Sequence, residues 1–174
     1  MRNFDYLLDL GLTDLHRYCA AAEEHQVNNP EMSAINARKA LEYIVHSIYR
    51  MKNAEIGERT DLCTLINAEP FSEFVSDEFV MRDCHYIRKI GNNAAHNGIV
   101  TQRNSFLCLL DLYRVIAAIL VKLRILDQVA PFDRNLIPSQ PEVSIMVPAQ
   151  IIEPTQVTEV ADPVAATSTD PVDI

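Results

Sequence analysis

The stretch that most constrains this chain runs from Thr101 to about Leu126, where Phe106, Leu107, Leu109, Leu110, Leu112, Val115, Ile116, Ile119, Leu120 and Leu123 spread apolar surface around most of one helix. Only a narrow polar stripe survives. At about 100° per residue, Asn104, Asp111, Arg114, Ala118 and Lys122 fall within roughly 80° of one another, so nearly all the rest must be covered. Asp111, Arg114, Lys122 and Arg124 are too costly for a lone membrane-spanning segment, so a core helix is expected and no membrane partner. A small monomer covers such a helix incompletely, which points to a homodimer.

The rest of the first 130 residues reads as helix by the same logic. The four glycines (Gly11, Gly57, Gly91, Gly98) separate segments of helical periodicity, and alternating β-branched runs are absent. A lead-in at Phe4 to Leu10 precedes a helix capped by Thr13 and reaching about Val27, ended by Asn28, Asn29 and Pro30. The next helix, about Glu31 to Lys52, turns Ala34, Ala37, Leu41, Ile44, Val45 and Ile48 inward, with Arg38 and Glu42 paired at its border. Short connecting helices follow, one capped by Thr60 and one opened by Pro70. A helix capped by Ser76 or Asp77 then runs from Glu78 to Ile90, with Gly91 as its stop.

An apolar share of 48% in 174 residues is enough for one core. The net charge of −9 is uneven. Six acidic and no basic residues lie in 138–174, leaving −3 for residues 1–137. That balance excludes a protein coating nucleic acid by bulk charge, although a local patch contacting RNA or DNA stays open. From Pro138 onward, prolines and acidic residues without periodicity read as a disordered tail or linker. The expected organisation is a helical bundle over 1–130 and an acidic segment over 131–174. Four cysteines without a C-x-x-C pair fit buried thiols in a reducing compartment, and no metal or cofactor is expected. The N-terminus lacks a secretory h-region, so a cytoplasmic location is expected.

The segment Tyr86-Ile87-Arg88-Lys89-Ile90-Gly91-Asn92-Asn93-Ala94-Ala95-His96 carries the functional question. Arg88 offers a planar guanidinium suited to phosphate oxygens, and His96 exchanges protons near neutrality. On an unbroken helix they stand about 12 Å apart along the axis and about 80° apart around it, so catalysis requires a fold-back at Gly91 or a second protomer. The same residues also have a structural reading, with Asn92 and Asn93 capping a turn and Arg88 paired to an acid.

Ala37-Arg38-Lys39-Ala40-Leu41-Glu42 together with Tyr86 to Asn92 and Ala94-Ala95-His96 resembles the helical domain found at the N-terminus of many type I restriction enzyme R subunits, over residues 4–126. That domain is similar to the HEPN superfamily, whose members are helical bundles that often dimerise. The resemblance implies an all-α HEPN-like bundle of four to five helices and a noncatalytic dimerisation or subunit-docking module of a restriction–modification or antiphage system. It also implies an alternative, a metal-independent endoribonuclease in which His96 moves a proton and Arg88 stabilises phosphorane charge. Active HEPN ribonucleases place Arg and His closer than the seven residues that separate Arg88 from His96 here. Lys89, Asn92, Asn93, Arg38 and Glu42 are candidate binding residues, and a helical scaffold for a small ligand or peptide is a third reading. No P-loop of the form G-x-x-x-x-G-K-[ST] is present.

Overall fold

Side-chain caps set most of the helix starts. In the computed structural model, which describes residues 2–138, α1 (Tyr6–Asp9) turns at Gly11 into α2 (Thr13–His25). Thr13 is the first helical residue and not the cap, a place taken by Leu12 without a side-chain bond. Asn29 then accepts the Met32 N–H at 3.1 Å, and Pro30 fills the first position of α3 (Pro30–Met51). Asp61, one residue beyond the expected Thr60, caps α4 (Leu62–Asn67), which α5 (Glu69–Val75) follows closely. Asp77 caps α6 (Glu78–Ala95) through the Phe79 and Val80 N–H groups, and Thr101 caps α7 (Gln102–Lys122). The helix α7 ends four residues before the expected Leu126, with Arg124 in the left-handed region.

Among the described residues there are seven α-helices and no strand, so the all-α reading holds. The expected four to five helices undercount because α1, α4 and α5 are short connecting pieces. Helix α3 packs against α2, α6 and α7. Ala34 near its start clusters with Ala94 near the end of α6, and Lys52 just past its end stacks on Phe74 just before α6 begins. These two helices are therefore antiparallel. Gln102 reaches the Val27 carbonyl and Lys122 the Val75 carbonyl, which runs α7 back alongside α6. The four long helices α2, α3, α6 and α7 alternate in direction.

Leu41, Val45, Ile87, Leu109, Leu112 and Ile116 meet in the centre with essentially no exposure. Each contributes roughly 1.5–3 kcal/mol of burial, which offsets the ordering of the loops between helices. By length and composition α7 is apolar enough to cross a membrane, yet in this fold it packs against both α3 and α6. Cys19, Cys84 and Cys108 are buried free thiols and Cys63 is half-buried.

The structured chain passes the boundary expected at 130. Phe132 packs edge-on against Tyr113 and Phe106, Tyr113 donates its hydroxyl hydrogen to the Ala130 carbonyl at 2.6 Å, and Ile137 is buried. Asn3 accepts the Asp133 N–H at 2.7 Å and donates to the Asp133 carbonyl at 2.9 Å. The acidic tail beyond Pro138 lies outside the described residues.

Candidate functional site

Gly91 does not stop its helix. Helix α6 continues through it to Ala95, because Gly91 sits where α6 crosses α3. A Cβ there would overlap the Cβ of Arg38 and stand 2.9 Å from the Ala34 carbonyl oxygen and 3.0 Å from Arg38 Cδ. The glycine therefore serves close approach, which offsets its cost of roughly 0.5–1 kcal/mol inside a helix. The true end comes later. His96 is the C-cap residue, Asn97 takes the left-handed conformation at φ +60°, and the Gly98 N–H bonds to the Asn93 carbonyl at 2.8 Å, a Schellman arrangement. The Asn93 side chain holds the following loop by donating to the Ile99 carbonyl at 3.1 Å.

This continuity separates the two residues expected to act together. With no fold-back at Gly91, Arg88 and His96 stand about 12 Å apart along one straight rod and cannot reach a single phosphate within one chain. His96 is exposed, as is Lys89 on the outer side of α6.

Three other candidates, Arg38, Glu42 and Asn92, lie with Arg88 on the two helices that cross at Gly91. Arg38 runs across the glycine on α3, with Glu42 one turn further on and its carboxylate 4.0 Å from the Arg38 guanidinium. Arg88 and Asn92 flank Gly91 on α6, about 40° apart around the axis. Further along the same two helices, toward α4, the Tyr49 hydroxyl donates to the Leu65 carbonyl and His85 pairs with Asn67. The Arg88 charge is felt there. Asp61 is held below the usual carboxylate range chiefly by the Thr64 N–H, with the Thr64 hydroxyl and Arg88 assisting. Burial, and secondarily Arg88, lowers the His85 pKa.

A second polar cluster lies where an exposed stripe was expected. Asp111, assigned from sequence to the solvent face of α7, is buried beside Asp83 of α6, and Arg114 clamps both. The guanidinium lies 2.9 Å from Asp83 and 2.5 Å from Asp111, and Arg82 stands 3.5 Å from Asp83. Burial, followed by the Asp83 charge, pushes the Asp111 carboxyl up to about 6, against the pull of Arg114. Of the expected stripe Arg114 and Lys122 are exposed, and Asp111 is turned inward because α6 packs on that side of α7. The sequence signal was an aspartate in the apolar register of α6, with Asp111 and Arg114 one turn apart on its neighbour.

The face of α7 left open is instead Leu107, Leu110, Arg114, Ala117 and Val121. Between it and residues 129–132 lies an apolar groove of about 540 Å³. No family model, no curated protein and no solved structure matches this chain.

Proposed function

We propose that the chain is a noncatalytic interaction module of a restriction–modification or related antiphage system, which pairs with a second copy of itself through α7. One observation carries the pairing. The incompletely covered residues Leu107, Leu110, Arg114, Ala117 and Val121 recur at spacings of three and four, the seam that two helices use when they pack knobs into holes. Ala117 and Ala118 in the middle of that seam let two backbones approach closely, and the half-exposed Arg114 is already balanced within its own chain by Asp83 and Asp111. The defence-system context rests on the sequence resemblance of Ala37–Glu42 and Tyr86–His96 to restriction-enzyme R subunits.

Sedimentation and light scattering across a range of concentrations test the pairing. The wild type is expected to be a dimer. Ala117→Glu and Val121→Glu are expected to weaken association by at least about 100-fold while leaving the helical content intact, because a charge directly on an apolar seam costs several kcal/mol. A wild type that stays monomeric at high concentration overturns the proposal. Capture of purified specificity or modification subunits tests the docking role. RNA incubated with the protein in EDTA is expected to stay intact, and cleavage that disappears in His96→Ala replaces the noncatalytic reading with the nuclease one.

A further inference from the structure

We propose that the cavity between the end of α2 and the start of α7 captures the free C-terminal carboxylate of a peptide whose last residue is apolar. The cavity has a volume of about 490 Å³. Arg103 and Arg134 both line it, and among the described residues no acidic side chain does. The acids that adjoin its wall in sequence are engaged elsewhere, Glu23 by Asn3, Glu24 by Arg2 and Asp133 by the Asn135 N–H. The Arg134 guanidinium carbon stands 4.8 Å from the centre of the Phe106 ring, a contact that positions the cation without neutralising it.

The polar part of the wall is fixed by the helices. Gln26 is only 6% exposed; its Nε2 donates to the Gln102 carbonyl at 3.0 Å, and Gln102 Nε2 donates to the Val27 carbonyl at 2.7 Å. The first of these bonds settles which end of the Gln26 amide is oxygen, and that oxygen accepts nothing among the described residues. Gln102 and Arg103 open α7, where the Thr101 side chain accepts from Asn104 and leaves the first two N–H groups without a helical partner. The positive end of a 21-residue helix therefore adjoins the two arginines.

This wall offers cations and N–H donors for an anion, one oriented acceptor beside them, and an apolar patch formed by Val27, Phe106 and Ile137. The end of a peptide carries the matching groups within a single residue: a carboxylate for the guanidinium forks, an amide N–H for the Gln26 oxygen, and a side chain for the patch. An inorganic anion leaves the acceptor and the patch unused. The carboxylate of an internal Asp or Glu stands one or two carbons further from its own N–H. The volume lies within the range of roughly 300–1,000 Å³ typical of small-ligand sites, which suits the last residues of a chain and not a folded surface.

Calorimetry on the full chain at constant ionic strength tests this with four probes: acetyl-Gly-Ala-Val with a free carboxylate, the same tripeptide ending in an amide, acetyl-Ala-Glu-Ala-amide, and inorganic phosphate. The free-carboxylate tripeptide is expected to bind saturably with a Kd of about 1 mM or lower, and each of the other three at least about tenfold more weakly. Arg103→Gln and Arg134→Gln are each expected to weaken binding by about tenfold or more, and Arg17→Gln, near the other end of α2, to leave it unchanged. Both arginines of the site are exposed, so these variants keep the fold, which circular dichroism checks. In the wild type, the Gln26 side-chain amide and the Gln102 and Arg103 backbone N–H resonances are expected to shift on titration, a readout that needs no variant and holds whether or not the chain pairs through α7. The proposal is overturned if the free-carboxylate tripeptide does not bind, if any of the other three probes binds as tightly, if those resonances stay in place, or if both glutamine variants bind as the wild type does.

Discussion

An alanine in place of Arg114 is expected to lower the unfolding free energy by about 2–4 kcal/mol near pH 8 and by clearly less near pH 5. The residue bridges two nearly buried carboxylates, and taking one partner from a fully buried ion pair costs roughly 3–5 kcal/mol. The lower figure applies here because Arg114 is half exposed and Arg82 still stands 3.5 Å from Asp83. The pH dependence follows from Asp111, whose folded carboxyl titrates at about 6 against an ordinary 3.8. Between those values the folded chain binds more protons than the unfolded one, so stability is greatest on the acid side and falls as pH rises through about 6. With roughly 1.4 kcal/mol per pKa unit, the wild type is expected to lose on the order of 3 kcal/mol of this contribution by pH 8. Without Arg114 the carboxyl holds its proton to still higher pH, and the loss deepens. Urea titrations of both proteins at the two pH values measure this. An Arg114→Ala penalty that is equal at pH 5 and pH 8 contradicts the account of the cluster.

A methyl group at Gly91 is expected to destabilise the fold by about 2 kcal/mol or more, although alanine is the better helix former. Helix propensity favours Gly91→Ala by roughly 1 kcal/mol. Against it stands overlap with the Arg38 Cβ and a 2.9 Å approach to the Ala34 carbonyl oxygen, atoms that belong to or adjoin the α3 backbone and cannot rotate away. Overpacking at such a contact costs typically 1–3 kcal/mol and here is placed at or above the top of that range, because two long helices must separate along their shared length. Thermal melts followed by circular dichroism decide the sign. A Gly91→Ala protein more stable than wild type would mean that α3 and α6 do not touch there.

The same glycine marks how far the residues alone lead. Periodicity identified every long helix, since stripes such as Leu41, Ile44, Val45 and Ile48 must be buried wherever they lie. A cap at Ser76 or Asp77 and a helix start after Thr101 were legible for a local reason, a short polar side chain before an apolar run, whereas Thr13 and Thr60 each lie one residue away from the true cap position. Gly91 was misjudged because the rule that glycine ends a helix is local, whereas its role is set by α3, some fifty residues away in sequence. Asn97, the left-handed residue that does end α6, carries a weaker version of the same signal. Of the candidate site, Arg38, Glu42, Arg88 and Asn92 were picked out individually, and their placement on two helices that cross at Gly91 depends on an antiparallel packing that periodicity does not specify. The Asp83, Asp111 and Arg114 cluster was missed for a related reason. Charges on one helix were assigned to water before the neighbouring helix was known to bring a charge of its own.

The reciprocal bonds between Asn3 and Asp133 close the folded chain into something near a ring, across a sequence separation of 130 residues. Residues 3 and 133, near the two limits of the described segment, therefore lie side by side. A permuted chain that joins the neighbourhoods of residues 3 and 133 through a few added residues and reopens in the loop at residues 53–60 is expected to fold, because every long helix stays uncut.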